Sequence, residues 1–85
     1  MPSYAILGCG LSAQAVISDL FARGETDFTV YVRAGETDTV RERFPGVRVT
    51  DAWDSIREEI LVRSPGVRPD LPPIARAVAG GAKLT

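Results

Sequence analysis

The stretch Ser3-Tyr4-Ala5-Ile6-Leu7-Gly8-Cys9-Gly10-Leu11-Ser12-Ala13, near the start of an 85-residue chain, changes its hydrophobic period part way along. Its first half is an almost wholly apolar run bounded by Gly8, the pattern of a strand buried on both faces in a parallel sheet. Beyond Gly10 the period lengthens. Ala13, Val16, Ile17, Leu20 and Phe21 fall at i, i+3, i+4, i+7 and i+8, one stripe of a helix, with Ser12 placed as its N-cap and Gly24 as its stop. Between strand and helix, Gly8-Cys9-Gly10-Leu11-Ser12-Ala13 has the form G-x-G-x-x-G/A in the context that gives the motif meaning. The first glycine permits a tight turn, the second lets backbone approach a phosphate, and a small third residue lets helix and strand pack closely.

The same alternation continues outward. Phe28-Thr29-Val30-Tyr31-Val32 is β-branched and aromatic and reads as a second strand. Val40 and Phe44 share a face of a short helix that Pro45-Gly46 ends, and Val47-Arg48-Val49 is a brief third strand. Trp53, Ile56 and Ile60 have the spacing of another helical turn or two, after which Ile60-Leu61-Val62 is strand again, closed by Ser64-Pro65-Gly66. Asp70 stands where it can cap a last helix. Pro72 and Pro73 suit the first turn of that helix, Leu71, Ile74, Ala75 and Val78 form its apolar face, and Gly80-Gly81 stops it before a fifth strand, Ala82-Lys83-Leu84. The expected fold is α/β: one Rossmann-like domain over residues 1–85, an open parallel sheet of about five strands with helices on both faces. A chain that stops at its last strand leads one to expect that something follows it.

Composition narrows the chemistry. Hydrophobic residues make up 45% and charged residues 25%, a globular balance. Ten basic and eleven acidic residues leave a net charge of −1, so the basic excess of a phosphate-neutralising nucleic-acid binder is missing. Apolar runs are short and no basic, apolar leader opens the chain, so a cytoplasmic protein without a membrane partner is expected. Cys9 is the only cysteine and histidine is absent, which removes intrachain disulfides, Cys/His metal sites and imidazole-dependent triads. Cys9 reads as a small turn residue and Trp53 as a core or interface residue. Asp51, Asp54, Glu58 and Glu59 read as caps and a wetted face rather than an acid/base pair or metal site. No constellation activates a nucleophile, so no catalytic residue is assigned and the chain is too simple for a complete enzyme.

The candidate site gathers at one edge of the expected sheet. The first helix opens with Gln14 and Ala15 where a capping box would place an acid, leaving its amides and positive dipole end for an anion. Ser12 can bond either its own helix or a phosphate oxygen. The plainer alternative is a helix start that simply needs small residues. At the end of the second strand, where NAD-binding proteins place an acid for the ribose hydroxyls, Val32 is followed by Arg33. Arg33 suits the 2′-phosphate of NADP or the mouth of another nucleotide site, or it is a solvated charge. Ser64-Pro65-Gly66 ends another strand on the same edge, as a ligand turn or as a plain strand-ending turn. The candidate ligand-binding residues are thus Gly8, Gly10, Leu11, Ser12, Arg33, Ser64 and Gly66.

Three segments together, Ile6-Leu7-Gly8-Cys9-Gly10-Leu11-Ser12, Phe28-Thr29-Val30-Tyr31-Val32 and Leu61-Val62-Arg63-Ser64-Pro65-Gly66-Val67-Arg68-Pro69-Asp70, resemble the N-terminal domain of the Mur ligases, and within that family its D-glutamate-adding branch. The resemblance spans essentially the whole chain, and the Ser-Pro-Gly segment is more specific than the glycine loop. It implies a domain that binds the UDP part of UDP-N-acetylmuramoyl-L-alanine in peptidoglycan synthesis. By position it puts Gly10, Leu11 and Ser12 at the diphosphate, and Ser64 and Gly66 at the base. The chain departs from the family at Val32, where members often carry an acid for the uridine and where Arg33 is the candidate substitute, and at Ala13, which replaces a third glycine. In the family a central domain binds ATP and magnesium and a C-terminal domain binds the incoming amino acid. This chain has no G-x-x-x-x-G-K-[ST] and Lys83 is its only lysine, so those domains are expected as partners and no cofactor is expected here. Two other functions fit the residues: a fragment of an NADP-binding oxidoreductase, and a stand-alone regulatory domain that senses a nucleotide.

Overall fold

The computed structural model describes residues 3–8, 11–25, 27–64, 67–68 and 70–84, with backbone alone at 11–13. Five strands, β1 (Tyr4–Leu7), β2 (Phe28–Tyr31), β3 (Arg48–Thr50), β4 (Ile60–Arg63) and β5 (Lys83–Leu84), alternate with three helices, α1 (Leu11–Ala22), α2 (Thr37–Arg43) and α3 (Pro72–Ala79). The sheet is parallel throughout, in the order β3-β2-β1-β4-β5. The chain therefore winds outward from β1 to β3, returns to the other side of β1 as β4, and winds outward again. This doubly wound order is Rossmann-like, and its reversal point lies between β1 and β4.

Ala5, Ile6 and Leu7 are fully buried, which the parallel sheet requires of a central strand covered on both faces. Successive side chains of a strand point to opposite faces, and the two cores divide accordingly. Ile6 packs with Ile17, Leu20, Val30, Val32, Val40 and Val49 under α1 and α2. Ala5 and Leu7 pack with Tyr31, Leu61 and Ile74 under α3. Helices thus cover both faces, but the expected stripes hold only in part: Phe21 of α1 and Ala75 and Val78 of α3 are exposed, and α3 meets the sheet through Leu71, Ile74 and Ala77 because so short a helix turns only one narrow side to the core. Among the described residues no helix is long and apolar enough to cross a membrane.

Three local expectations are corrected. Helix α1 begins at Leu11, so Ser12 lies inside its first turn rather than at the N-cap. Asp70 does not cap α3. Leu71 is the capping residue and makes no side-chain cap bond, while Asp70 takes both its hydrogen bonds, 3.1 and 2.8 Å, from Arg68. The physical reason is that Pro72 and Pro73 fill the first two helical positions and have no amides for a carboxylate to satisfy. The segment after β3 forms only a 3-10 turn, Trp53–Ser55, instead of a longer helix.

Side-chain bonds explain that last difference. The Trp53 indole donates Nε1–H to the Val32 carbonyl at 2.9 Å, and the Tyr31 hydroxyl donates to Glu58 Oε1 at 2.6 Å. The two rings meet edge to face with centroids 6.2 Å apart. These contacts lay the crossover over the α3 face of the sheet, and Trp53 and Ile56 complete that core. Glu58 is accordingly half-buried and bonded rather than part of a wetted face.

Burial, and then the bond to Glu58, push the Tyr31 phenol well above the ordinary tyrosine value of about 10. A pKa raised on folding gives stability that is complete below the unfolded value and is lost as pH rises toward the folded one. Denaturant unfolding is therefore expected to show stability falling as pH rises above about 10, and Tyr31→Phe is expected to flatten that decline. An unchanged slope in the variant would assign the alkaline loss to other groups.

Candidate functional site

Strands β1 and β4 pair with Leu7 opposite Arg63, and the next residue of each chain turns away at the carboxyl edge. The Gly8 amide donates to the Tyr31 carbonyl at 2.7 Å, drawing that chain toward β2. The Ser64 amide donates to the Leu7 carbonyl at 3.1 Å. Both connections leave the sheet at the carboxyl edge beside the reversal point, where open α/β sheets hold their ligands.

Gly8 adopts φ +88°, a left-handed conformation that side chains other than glycine rarely take. It also has no room for one. A Cβ there would lie 2.9 Å from Val67 Cγ2 and 3.2 Å from Ser64 Oγ. The turn after β1 and the turn after β4 are thus in direct contact, and glycine is what permits it. The second turn is closed by the Val67 amide donating to the Ser64 carbonyl at 2.9 Å, and Arg63 Nη1 donates to the Val67 carbonyl at 2.7 Å.

Ser64 is only 6% exposed, and its Oγ is buried without a hydrogen-bond partner among the described residues. An unpaired buried hydroxyl costs about 1–3 kcal/mol, so native proteins rarely keep one without a use. Helix α1 runs for twelve residues with no acid in its first turn, leaving the positive end of its dipole uncompensated by its own side chains. Along the chain the start of α1 thus follows Gly8 by three residues, and Gly8 packs against the Ser64 hydroxyl.

Gly8 and Ser64 are brought together as the sequence predicts. Gly10 and Gly66, with Cys9 and Pro65, lie outside the described residues, and for Leu11 and Ser12 the backbone alone is placed, at the opening of α1. Arg33 is exposed just past the end of β2, on the same edge but across β1 from Ser64, roughly 10 Å away by strand spacing. Arg23, Arg41, Arg48, Arg68 and Arg76 each pair with an aspartate. Among the described residues neither Arg33 nor Arg63, the arginines at the ends of β2 and β4, has a carboxylate partner, nor do Arg43 and Arg57 elsewhere. Two positive charges on the candidate edge thus have no carboxylate partner among the described residues.

Sequence reasoning assigned no role to Arg63 or Val67. Arg63 carries a signal in hindsight, a charge ending an otherwise apolar strand, but its partner is a backbone carbonyl that no residue type announces. A larger cleft of about 310 Å³ opens at the amino end of β4 and β5, between Arg57, Glu59, Arg76 and Gly81. It holds no buried unpaired side chain among the described residues, which ranks it below the junction at Gly8 as a candidate site. No group of three or more acidic or cysteine side chains among the described residues is placed to hold a metal ion. Neither a protein-family model nor a curated protein matches the chain.

Proposed function

We propose that the chain is a nucleoside-diphosphate-binding domain, and in particular the N-terminal domain of a Mur ligase. The member it fits best is UDP-N-acetylmuramoyl-L-alanine:D-glutamate ligase, which acts in cytoplasmic peptidoglycan synthesis. The observation that carries the reading is the buried Ser64 hydroxyl, without a partner among the described residues and packed against left-handed Gly8 at the sheet's reversal point. In this reading the amides of Gly10, Leu11 and Ser12 receive the diphosphate at the start of α1. Ser64 and Gly66 meet the uracil, with the Ser64 hydroxyl gaining the partner it lacks. Arg33 supplies charge at the rim in place of the acid that Val32 displaces. The chain binds and orients the precursor, while ATP and magnesium chemistry belongs to the further domains of such an enzyme.

One observation favours a second reading. Arg33, exposed and without a carboxylate partner past β2, is placed as a 2′-phosphate ligand of NADP would be. Calorimetric titration of UDP-N-acetylmuramoyl-L-alanine and of NADPH separates the two. The uridine compound is expected to bind about tenfold tighter or better, a margin of about 1.4 kcal/mol. Selective binding of NADPH would reverse the order.

A further inference from the structure

We infer that Arg63 is a positioning residue for this crevice, holding the Ser64–Val67 turn against Gly8 through the Val67 carbonyl. The inference rests on the nucleotide reading above and adds to it a residue that does not touch the ligand.

Register and strand alternation place the Arg63 side chain on the same face as Leu7 and Leu61, the face that α3 covers. Val67 packs against that core as well. The half-buried guanidinium therefore lies beneath the turn and reaches its carbonyl at 2.7 Å. Apart from this bond, the described backbone of the turn is held by two neutral hydrogen bonds, Ser64 N–H to the Leu7 carbonyl and Val67 N–H to the Ser64 carbonyl. A bond from a charged donor is about twice as strong as a neutral one, so the Arg63 bond is the strongest of the three that hold Ser64 and Val67 in place.

Position is what this rigidity protects. Val67 Cγ2 closes on Gly8 within a margin that admits no further atom, and Ser64 Oγ sits beside it. A turn that lifted by a fraction of an ångström would move the hydroxyl away from a ligand held on the amides of α1. Because Arg63 has no carboxylate partner among the described residues, it performs this task without neutralising the charge at the crevice.

The test compares the wild-type chain with Arg63→Met, which keeps the apolar stem, and Arg63→Lys, which keeps the charge but not the planar fork. Two quantities are read: hydrogen exchange of the Val67 amide by NMR, and the Kd for UDP-N-acetylmuramoyl-L-alanine by calorimetry. Arg63→Met is expected to speed Val67 exchange about tenfold and to weaken binding about fivefold, with Arg63→Lys recovering part of both. Val67 exchange equal in wild type and Arg63→Met would overturn the inference. So would faster exchange with undiminished binding. Failure of the wild type to bind the uridine compound would instead remove the nucleotide reading and, with it, the purpose assigned to Arg63.

Discussion

Gly8→Ala is expected to lower stability by about 2–5 kcal/mol. Two penalties coincide. A residue other than glycine at φ +88° costs about 1–3 kcal/mol, and a Cβ at 2.9 Å from Val67 Cγ2 adds an overpacking cost of similar size. Neither neighbour yields easily. Val67 is partly buried and packs against the α3-side core, and Ser64 is anchored by its amide to Leu7. Set against a total of roughly 4–13 kcal/mol for a domain this size, the change lowers Tm by about 10–30 °C. Gly24→Ala provides the control, since Gly24 has φ +76° but nothing within 4 Å of an added Cβ. It carries the conformational cost alone, about 1–2 kcal/mol. Thermal or urea unfolding of both variants decides the matter, and equal losses would mean that the contact between the two turns is absent.

That comparison also shows where the sequence is informative. The need for glycine at position 8 is legible from the abrupt change of period, strand before and helix after. What crowds Gly8 is not, because Ser64 and Val67 arrive there only after the chain has wound through β2 and β3 and back. The fold itself is legible for a simple reason. Buried parallel strands are short apolar runs, amphipathic helices show their stripe, and Gly24, Pro45-Gly46 and Gly80-Gly81 punctuate them.

Where pattern and structure differ, the causes are local. Trp53, Ile56 and Ile60 keep helical spacing, yet the indole bond to Val32 and the Tyr31–Glu58 bond hold that segment as a strap. Asp70 had the chemistry of a cap, but Pro72 and Pro73 removed the donors it would serve. The clamp at Arg63 was invisible because its partner is a main-chain oxygen. The proposed ligand rests on resemblance alone, since a glycine turn and a helix start suit many phosphates equally.

Ser64→Ala is the second large expected effect, and its two consequences run in opposite directions. The hydroxyl is buried with no partner among the described residues, so removing it relieves a cost of about 1–3 kcal/mol and leaves a methyl that fits the same space. A residue kept for packing would not behave so. If the hydroxyl is held for the ligand, its loss removes a hydrogen bond formed only in the complex, and the Kd rises about tenfold, or about 1.4 kcal/mol. Stability gained and affinity lost together are the signature of a group retained for function. The decisive measurement is therefore Tm and the Kd for UDP-N-acetylmuramoyl-L-alanine, taken on wild type and Ser64→Ala side by side. The account predicts a Tm equal to or above wild type with binding about tenfold weaker. A lowered Tm with unchanged binding would contradict it.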